Sequence, residues 1–109
     1  SKAVHTLTAL LDQLAGFTVR AAQAGSDHRG QQTDSTVFDE TVSYVNLPTV
    51  SGSVGILTGH APMVCAIARG RIRCGMGDDG GAVIEVGGGI AEVSENVVTV
   101  LASDARVVE

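Results

Sequence analysis

Serine, histidine and cysteine cluster near the middle of the chain, at Ser51, Ser53, His60 and Cys65, and by type they offer a nucleophile and a base. A hydrolytic site needs those groups plus an orienting acid, arranged around one reacting atom. No nucleophile elbow and no Cys–His signature surrounds them, so the pattern does not predict catalysis. A metal centre would draw on His5, His28, His60, Cys65 and Cys74. These are scattered, without the spacing of a three- or four-ligand site, and neither a metal nor any other cofactor is expected. Gly87-Gly88-Gly89 has the composition of a phosphate cradle. Such a cradle leads into a helix N-terminus with a lysine or hydroxyl nearby, whereas the strand-like Ile90-Ala91-Glu92-Val93 follows here. The glycines are better read as a bend that lets a strand pass from one sheet to another.

The stretch from Gly52 to Pro62 reads as a shaped loop. Gly52, Gly55 and Gly59 allow positive φ or close backbone approach, and Pro62 fixes φ and removes a donor. Ile56 and Leu57 are expected to tuck beneath it. His60 lacks the partners of a general base; as a loop histidine it is suited to bonding backbone or facing a protein partner. The stretch is thus a candidate contact surface.

Positioning such a loop requires a rigid body, and the composition supports one. With 109 residues, 44% of them apolar and 17% charged, the chain is a single globular domain with one modest core. Phe17, Phe38 and Tyr44 are its aromatic residues, so Val, Ile, Leu and Ala must fill the interior. Fourteen glycines suit many tight turns between short strands. A net charge of −5, with Arg69, Arg71 and Arg73 as the one basic cluster, argues against nucleic acid. No run of about 18 apolar residues is present for a membrane span, the first 15 residues make a poor signal peptide, and two cysteines fit a reducing compartment.

Along the chain, Val4, Leu7, Leu10, Leu11 and Leu14 recur at intervals of three and four, which predicts an amphipathic helix ending at Gly16. It would pack on its own core or a neighbouring subunit's. Phe17–Ala22 alternates as a strand. The polar stretch from about 24 to 35 has no period and is expected to be a long exposed loop. Residues 36–47 are strand-like, with a turn or bulge at Asp39-Glu40 and an end at Pro48. Met63–Ala68 and Arg71–Gly75 flank Arg69-Gly70, a hairpin signal that would set Cys65 opposite Cys74, with Arg71 and Arg73 on one face and Ile72 and Cys74 on the other. Residues 75–81 form a second turn. Ala82–Val86, Ile90–Val93 and Val97–Ala102 complete the strands, Glu95-Asn96 turning between the last two. The expected fold is mainly β: a flattened two-sheet β-sandwich of about 8–10 short strands over residues 17–109, with an extra helix over residues 1–16.

Gly55-Ile56-Leu57-Thr58-Gly59-His60-Ala61-Pro62, then Ala82–Gly89 with Ile90–Val93, then Asn96–Ala102, occur in order and at about the spacing seen in one family. Together they resemble the N-terminal domain of the F-type ATP synthase epsilon subunit (delta in mitochondria), over roughly residues 36–105. The resemblance implies a ten-stranded sandwich without an active site, joining the gamma subunit to the c-ring in the rotor. It implies Ser51, Gly52, Ser53 and Val54 towards the c-ring, and His60, Ala61, Met63 and Cys65 towards gamma. Gly55, Ile56, Leu57, Gly59, Pro62, Gly88 and Gly89 would shape the loops. A peripheral location on the cytoplasmic face of the bacterial plasma membrane follows, with no small-molecule substrate and no direct membrane insertion.

Departures from the family pattern are specific. Ser51 and Ser53 stand where acidic residues are common, Thr58 where proline is usual, and Gly87 where serine is common. Residues 24–35 look like an insertion, and the N-terminal helix has no counterpart. The chain stops at residues 107–109, where the family's C-terminal helical hairpin begins, so the braking and ATP binding of that hairpin are not implied. The alternative reading is a free-standing β-sandwich module binding a peptide or small ligand, and an enzymatic reading ranks third.

Overall fold

A computed structural model describes residues 16–26, 29–75 and 81–108. The expected helix over residues 1–16 falls almost wholly outside them. No helix occurs among the described residues, which form ten strands: β1 (Phe17–Ser26), β2 (Gln32–Val42), β3 (Tyr44–Thr49), β4 (Gly52–Leu57), β5 (Met63–Ile67), β6 (Gly70–Gly75), β7 (Gly81–Val86), β8 (Gly89–Ser94), β9 (Val97–Ala102) and β10 (Ala105–Val107).

All ten belong to one hydrogen-bonded sheet in the order β10-β7-β6-β3-β5-β8-β9-β1-β2, with β4 added beside β3. The two separate sheets expected from sequence are therefore joined, and β3 is the reason. One edge of β3 pairs with β4; the other pairs with β6 through Tyr44–Asn46 and with β5 where Thr49 meets Ile67. The sheet rolls until β10 touches β1 and β2, nearly closing a flattened barrel. Across that seam the Ala105 amide donates to Gln23 Oε1 at 3.3 Å.

Alternation sorts the strand residues. Val19, Ala21, Val45, Leu47, Ile56, Ile72, Ile84, Val86, Ala91, Val93, Val98 and Val100 face inward and are buried. A strand reverses its side chains at every residue, so the residues between them face water or a partner. As expected, Arg71 and Arg73 point outward from β6 while Ile72 and Cys74 point in. Among the described residues 18 aliphatic side chains are buried, 13 of them Val, Leu or Ile contributing about 1.5–3 kcal/mol each, and this burial offsets the chain entropy. Exposed ion pairs add little by comparison: Arg20–Asp39 at 3.3 Å, and Arg71 and Arg106 both reaching Glu85, at 3.6 and 3.3 Å.

Several expectations need correction. The polar stretch at 24–35 is mostly strand: Ala24, Gly25 and Ser26 pair with Asp34, Thr33 and Gln32, extending a β1–β2 ribbon. Main-chain pairing, which does not depend on apolar side chains, holds it together. The β2 bulge sits at Val37, because Ala21 faces Phe38 while Ala22 faces Thr36; Asp39 and Glu40 pair regularly. Pro48 does not end β3. It pairs with Ser53, and its carbonyl accepts from the Ala68 amide at 2.7 Å. Arg69-Gly70 does not close a hairpin, since β5 pairs with β8 and β6 with β7. Cys65 lies opposite Ala91 and Cys74 opposite Val45, so the cysteines do not face each other, and both are free thiols.

The glycine bend is as expected. β7 stays beside β6 and β10 while β8 joins β5 and β9, so residues 87–89 carry the chain between the two halves. Gly88 has φ +114°, and a side chain on Gly89 would collide with the Leu101 carbonyl.

Candidate functional site

The Gly52–Pro62 stretch is half strand and half loop. Gly52–Leu57 is β4, and its period-two alternation buries Ile56 while leaving Leu57 64% exposed. Leu57 is therefore not tucked under a loop, because it shares the outward phase with Ser53 and Gly55. Two tight connections bracket the strand.

The first is the β3–β4 turn. Thr49 is buried, and its hydroxyl donates to the Gly52 carbonyl at 2.5 Å while accepting from the Ser51 amide at 3.2 Å. Gly52 adopts φ +121°, and the Val50 amide bonds the Ala66 carbonyl at 3.2 Å. A hydroxyl that closes a turn on its own backbone stiffens it. Ser51, Gly52 and Ser53 are thereby presented as an exposed, uncharged tip, whereas Val54 leans back onto the core.

The second is the loop from Thr58 to Pro62. The His60 amide donates to the Leu57 carbonyl at 3.1 Å, and Gly59 adopts φ +83°. The Gly59 amide donates to Asn96 Oδ1 at 3.0 Å. Asn96 itself, at φ 62°, forms with Glu95 at φ 51° the two-residue turn between β8 and β9, a conformation that asparagine tolerates. One side chain thus ties two turns together. The His60 ring stays close to the backbone, its Nδ1 lying 2.7 Å from the Ala61 carbonyl oxygen. Thr58 Oγ1 is buried without a hydrogen-bond partner in this loop.

The two sets of expected contact residues are not brought together. Ser51–Val54 and the His60 loop stand at opposite ends of β4, roughly 17 Å apart for a six-residue strand. Gly88 and Gly89 lie with the first set, beside the β5 end at Ile67. Gly55 has open space where a Cβ would be, so packing does not require glycine there. Met63 and Cys65 are half-buried and pack on the core from inside.

The outward phase of β5 belongs to Val64 and Ala66, which lie outside the expected contact residues. Cross-strand register sets Ala66, Ile90, Leu101 and Ala22 in one row, and Val64, Glu92, Thr99 and Arg20 in the next. Val64 is 69% exposed, Ile90 56% and Leu101 40%. Ile90 and Leu101 adjoin in the first row, near the Gly88–Gly89 end of the sheet, and Val64 stands diagonally from them, nearer the His60 loop; together they form an apolar patch on the outer face of β5, β8 and β9. Large apolar side chains gathered on one open face mark an interaction surface more than isolated ones do. The signal was present but ambiguous: every residue of Met63–Ile67 is apolar, so either phase could have been the buried one.

Surface hollows are shallow. One of about 250 Å³ lies over Tyr44, Asn46 and Leu57, and another of about 290 Å³ lies among Gly16, Thr41, Glu95 and Asn96. Neither gathers catalytic groups. Among the described residues no three His, Cys, Asp or Glu side chains converge to hold a metal ion, and no helix is long and apolar enough to cross a membrane.

Comparison with known proteins agrees with this architecture. A family model described as the ATP synthase delta/epsilon chain β-sandwich domain matches residues 32–107. The ATP synthase epsilon chain of Prochloron didemni is 46% identical over 74 residues, covering 68% of this chain and 54% of that one. The epsilon chain of Lawsonia intracellularis is 42% identical over 73 residues, covering 67% and 54%. This chain thus spans about half the length of the curated relatives it matches. In fold it is similar to a chain in the cryo-EM structure of the Euglena gracilis mitochondrial ATP synthase OSCP/F1/c-ring assembly, with a TM-score of 0.71 at 21% identity, covering 85% of this chain and 54% of that chain.

Proposed function

The chain belongs to the ATP synthase delta/epsilon β-sandwich family, and from that premise we propose that it serves as a non-catalytic rotor domain joining the gamma subunit to the c-ring. In this role it transmits the torque of proton flow and performs no bond chemistry itself. A rotor piece must be stiff between its two attachments. The hydroxyl-closed β3–β4 turn at one end of β4 and the Asn96-tethered loop at the other supply two rigid contact points on one strand.

The observation that carries the reading is the apolar outer face of Ile90, Leu101 and Val64, of which the Val64 end lies next to the His60 loop. We assign that side to gamma, with His60 and Ala61 at its rim and Met63 and Cys65 supporting it from behind. A stable interface of this kind buries about 1,200–2,000 Å² in total, which the face and its adjoining loop can contribute to. Ser51, Gly52 and Ser53, at the end of β4 away from the His60 loop and backed by Val54, meet the c-ring. Two serines bring hydroxyl hydrogen bonds and no charge, so that contact is expected to depend little on salt. The domain would lie at the membrane periphery, on the cytoplasmic face in a bacterium.

Co-purification with gamma and the c-ring tests the proposal. Ile90→Asp places a charge at the centre of the apolar face without touching the core, and should weaken gamma capture at least about tenfold, as loss of a central contact does. The isolated domain should keep its thermal midpoint, because exposed substitutions usually change stability by under about 0.5 kcal/mol. Absence of any association at micromolar concentrations, with the unaltered chain, would sink the reading.

A further inference from the structure

One edge of the sheet is left open in a way that its other edges are not. We infer that the free edge of β4 pairs antiparallel with β4 of a second copy of this chain, about a two-fold axis at Gly55.

The direction of the open groups follows from Pro48. Its ring leaves it no N–H, and its carbonyl turns to β5, where it accepts from the Ala68 amide. Pro48–Ser53 is therefore a non-hydrogen-bonded pair of the β3–β4 ladder, and by alternation so are Asn46–Gly55 and Tyr44–Leu57. Ser53, Gly55 and Leu57 thus aim their main-chain N–H and C=O groups away from β3, at an edge that no other described strand occupies. The Leu57 carbonyl also holds the His60 amide at 3.1 Å, which leaves it a second lone pair.

That edge lacks the usual protection. Sheet edges are blunted by charges, proline or bulges. β2, at one end of the sheet, carries Asp34, Asp39 and Glu40, and β10, at the other, carries Arg106. β4 carries neither charge nor proline, and no Asp, Glu, Lys or Arg occurs between Glu40 and Arg69. Leu57 and its cross-strand neighbour Tyr44 stand exposed on the outer face beside it.

A second copy fits this edge better than an unrelated strand. Two-fold pairing repeats each contact, and here no charge is set against its like. Centred on Gly55, the pairing puts Gly55 opposite Gly55 and Ser53 opposite Leu57 on both sides, so every open group meets a partner. Each Leu57 then lies diagonal to the opposing Gly55, where the fold leaves open space in place of a side chain. The hollow of about 250 Å³ beside Tyr44 and Asn46 receives it there. This gives Gly55 a purpose that packing within one chain does not, since glycine in a strand marks close approach of another backbone. An interface built on one strand falls below the roughly 1,200 Å² of stable complexes, so the pair is weak and follows concentration. Where Ser53 also meets the c-ring, which rests on the reading above, pairing and assembly exclude one another.

Sedimentation of the full chain from low micromolar to millimolar concentration tests the pairing, with amide NMR over the same range. The expected result is a change from one chain to two, the amide signals of Ser53, Gly55 and Leu57 moving as the pair forms. Leu57→Lys should weaken it at least about tenfold. Adding Ser53→Glu should recover most of that loss, because the register sets the two new charges opposite one another. Gly55→Pro removes an N–H that faces only the partner, and should abolish pairing in a folded domain; if it fails to fold, the lysine and double variants decide. A single chain at every concentration would overturn the proposal, and shifts of the same amides on adding an apolar peptide would then assign the edge to a foreign strand. So would a pair whose shifts centre on Ile90 and Leu101, growth beyond two chains, or no recovery in the double variant. No partner subunit enters the experiment, so its failure and that of the rotor reading are told apart.

Discussion

Burial pushes the Cys74 thiol from its ordinary 9.0 up to about 11, because desolvation penalises the thiolate on β6. Between those values the unfolded chain releases the proton while the folded chain keeps it. Stability is therefore complete below pH 9 and falls as pH rises towards 11, by about 2 kcal/mol at the far end. Urea unfolding at pH 8 and pH 10.5 should show this loss, and Cys74→Ala should flatten the slope; an equal slope in the variant would remove Cys74 as its cause. Cys65, half-buried, should react with a thiol reagent faster than Cys74. Thr58 presents the opposite problem, a buried hydroxyl with no partner. Thr58→Val keeps the shape and removes the orphan group, and should stabilise the domain by about 1 kcal/mol in urea midpoint measurements. A loss of stability would mean that the hydroxyl is satisfied in solution.

At the level of elements, the crossing from β7 to β8 depends on glycine. The backbone of β9 passes so close to Gly89 that a methyl there meets the Leu101 carbonyl, which cannot yield without breaking its ladder. Gly89→Ala should cost several kcal/mol, on the order of 3 by the usual scale of core overpacking, whereas Gly55→Ala on the open face of β4 should be nearly neutral. Equal effects at the two sites, read from thermal midpoints, would refute this account. Elements with a clear period were legible in the sequence: β6 by its Arg-Ile-Arg-Cys alternation, the β8–β9 hairpin by Glu95-Asn96, and the glycine crossing by its composition. β5 was legible as a strand but not in its phase, since Val64 and Cys65 are equally suited to burial. The outer half of the β1–β2 ribbon was misread because its pairing runs through the main chain, and polar side chains such as Gln23 and Asp34 leave no apolar signature.

For the molecule as a whole, the family and the all-β character could be read from local motifs, but the joining of the halves could not. Nothing near Thr49 or Ile67 signals that β3 bonds both β5 and β6, and nothing near Phe17 announces that its strand lies beside β9. The sequence motifs point to His60 and not to Ile90, because a sheet face is assembled from strands distant in sequence. The parallel pairing of β1 with β9 carries one more consequence, for biosynthesis. Of the ten described strands, β1 leaves the ribosome first and β9 ninth. The first strand must wait, with only β2 for company, until almost the whole domain has emerged. The exit tunnel thus releases this domain in effect as a single unit, and a chain stalled before Val97 would hold an unfinished sheet with the inner edge of β1 exposed to chaperones.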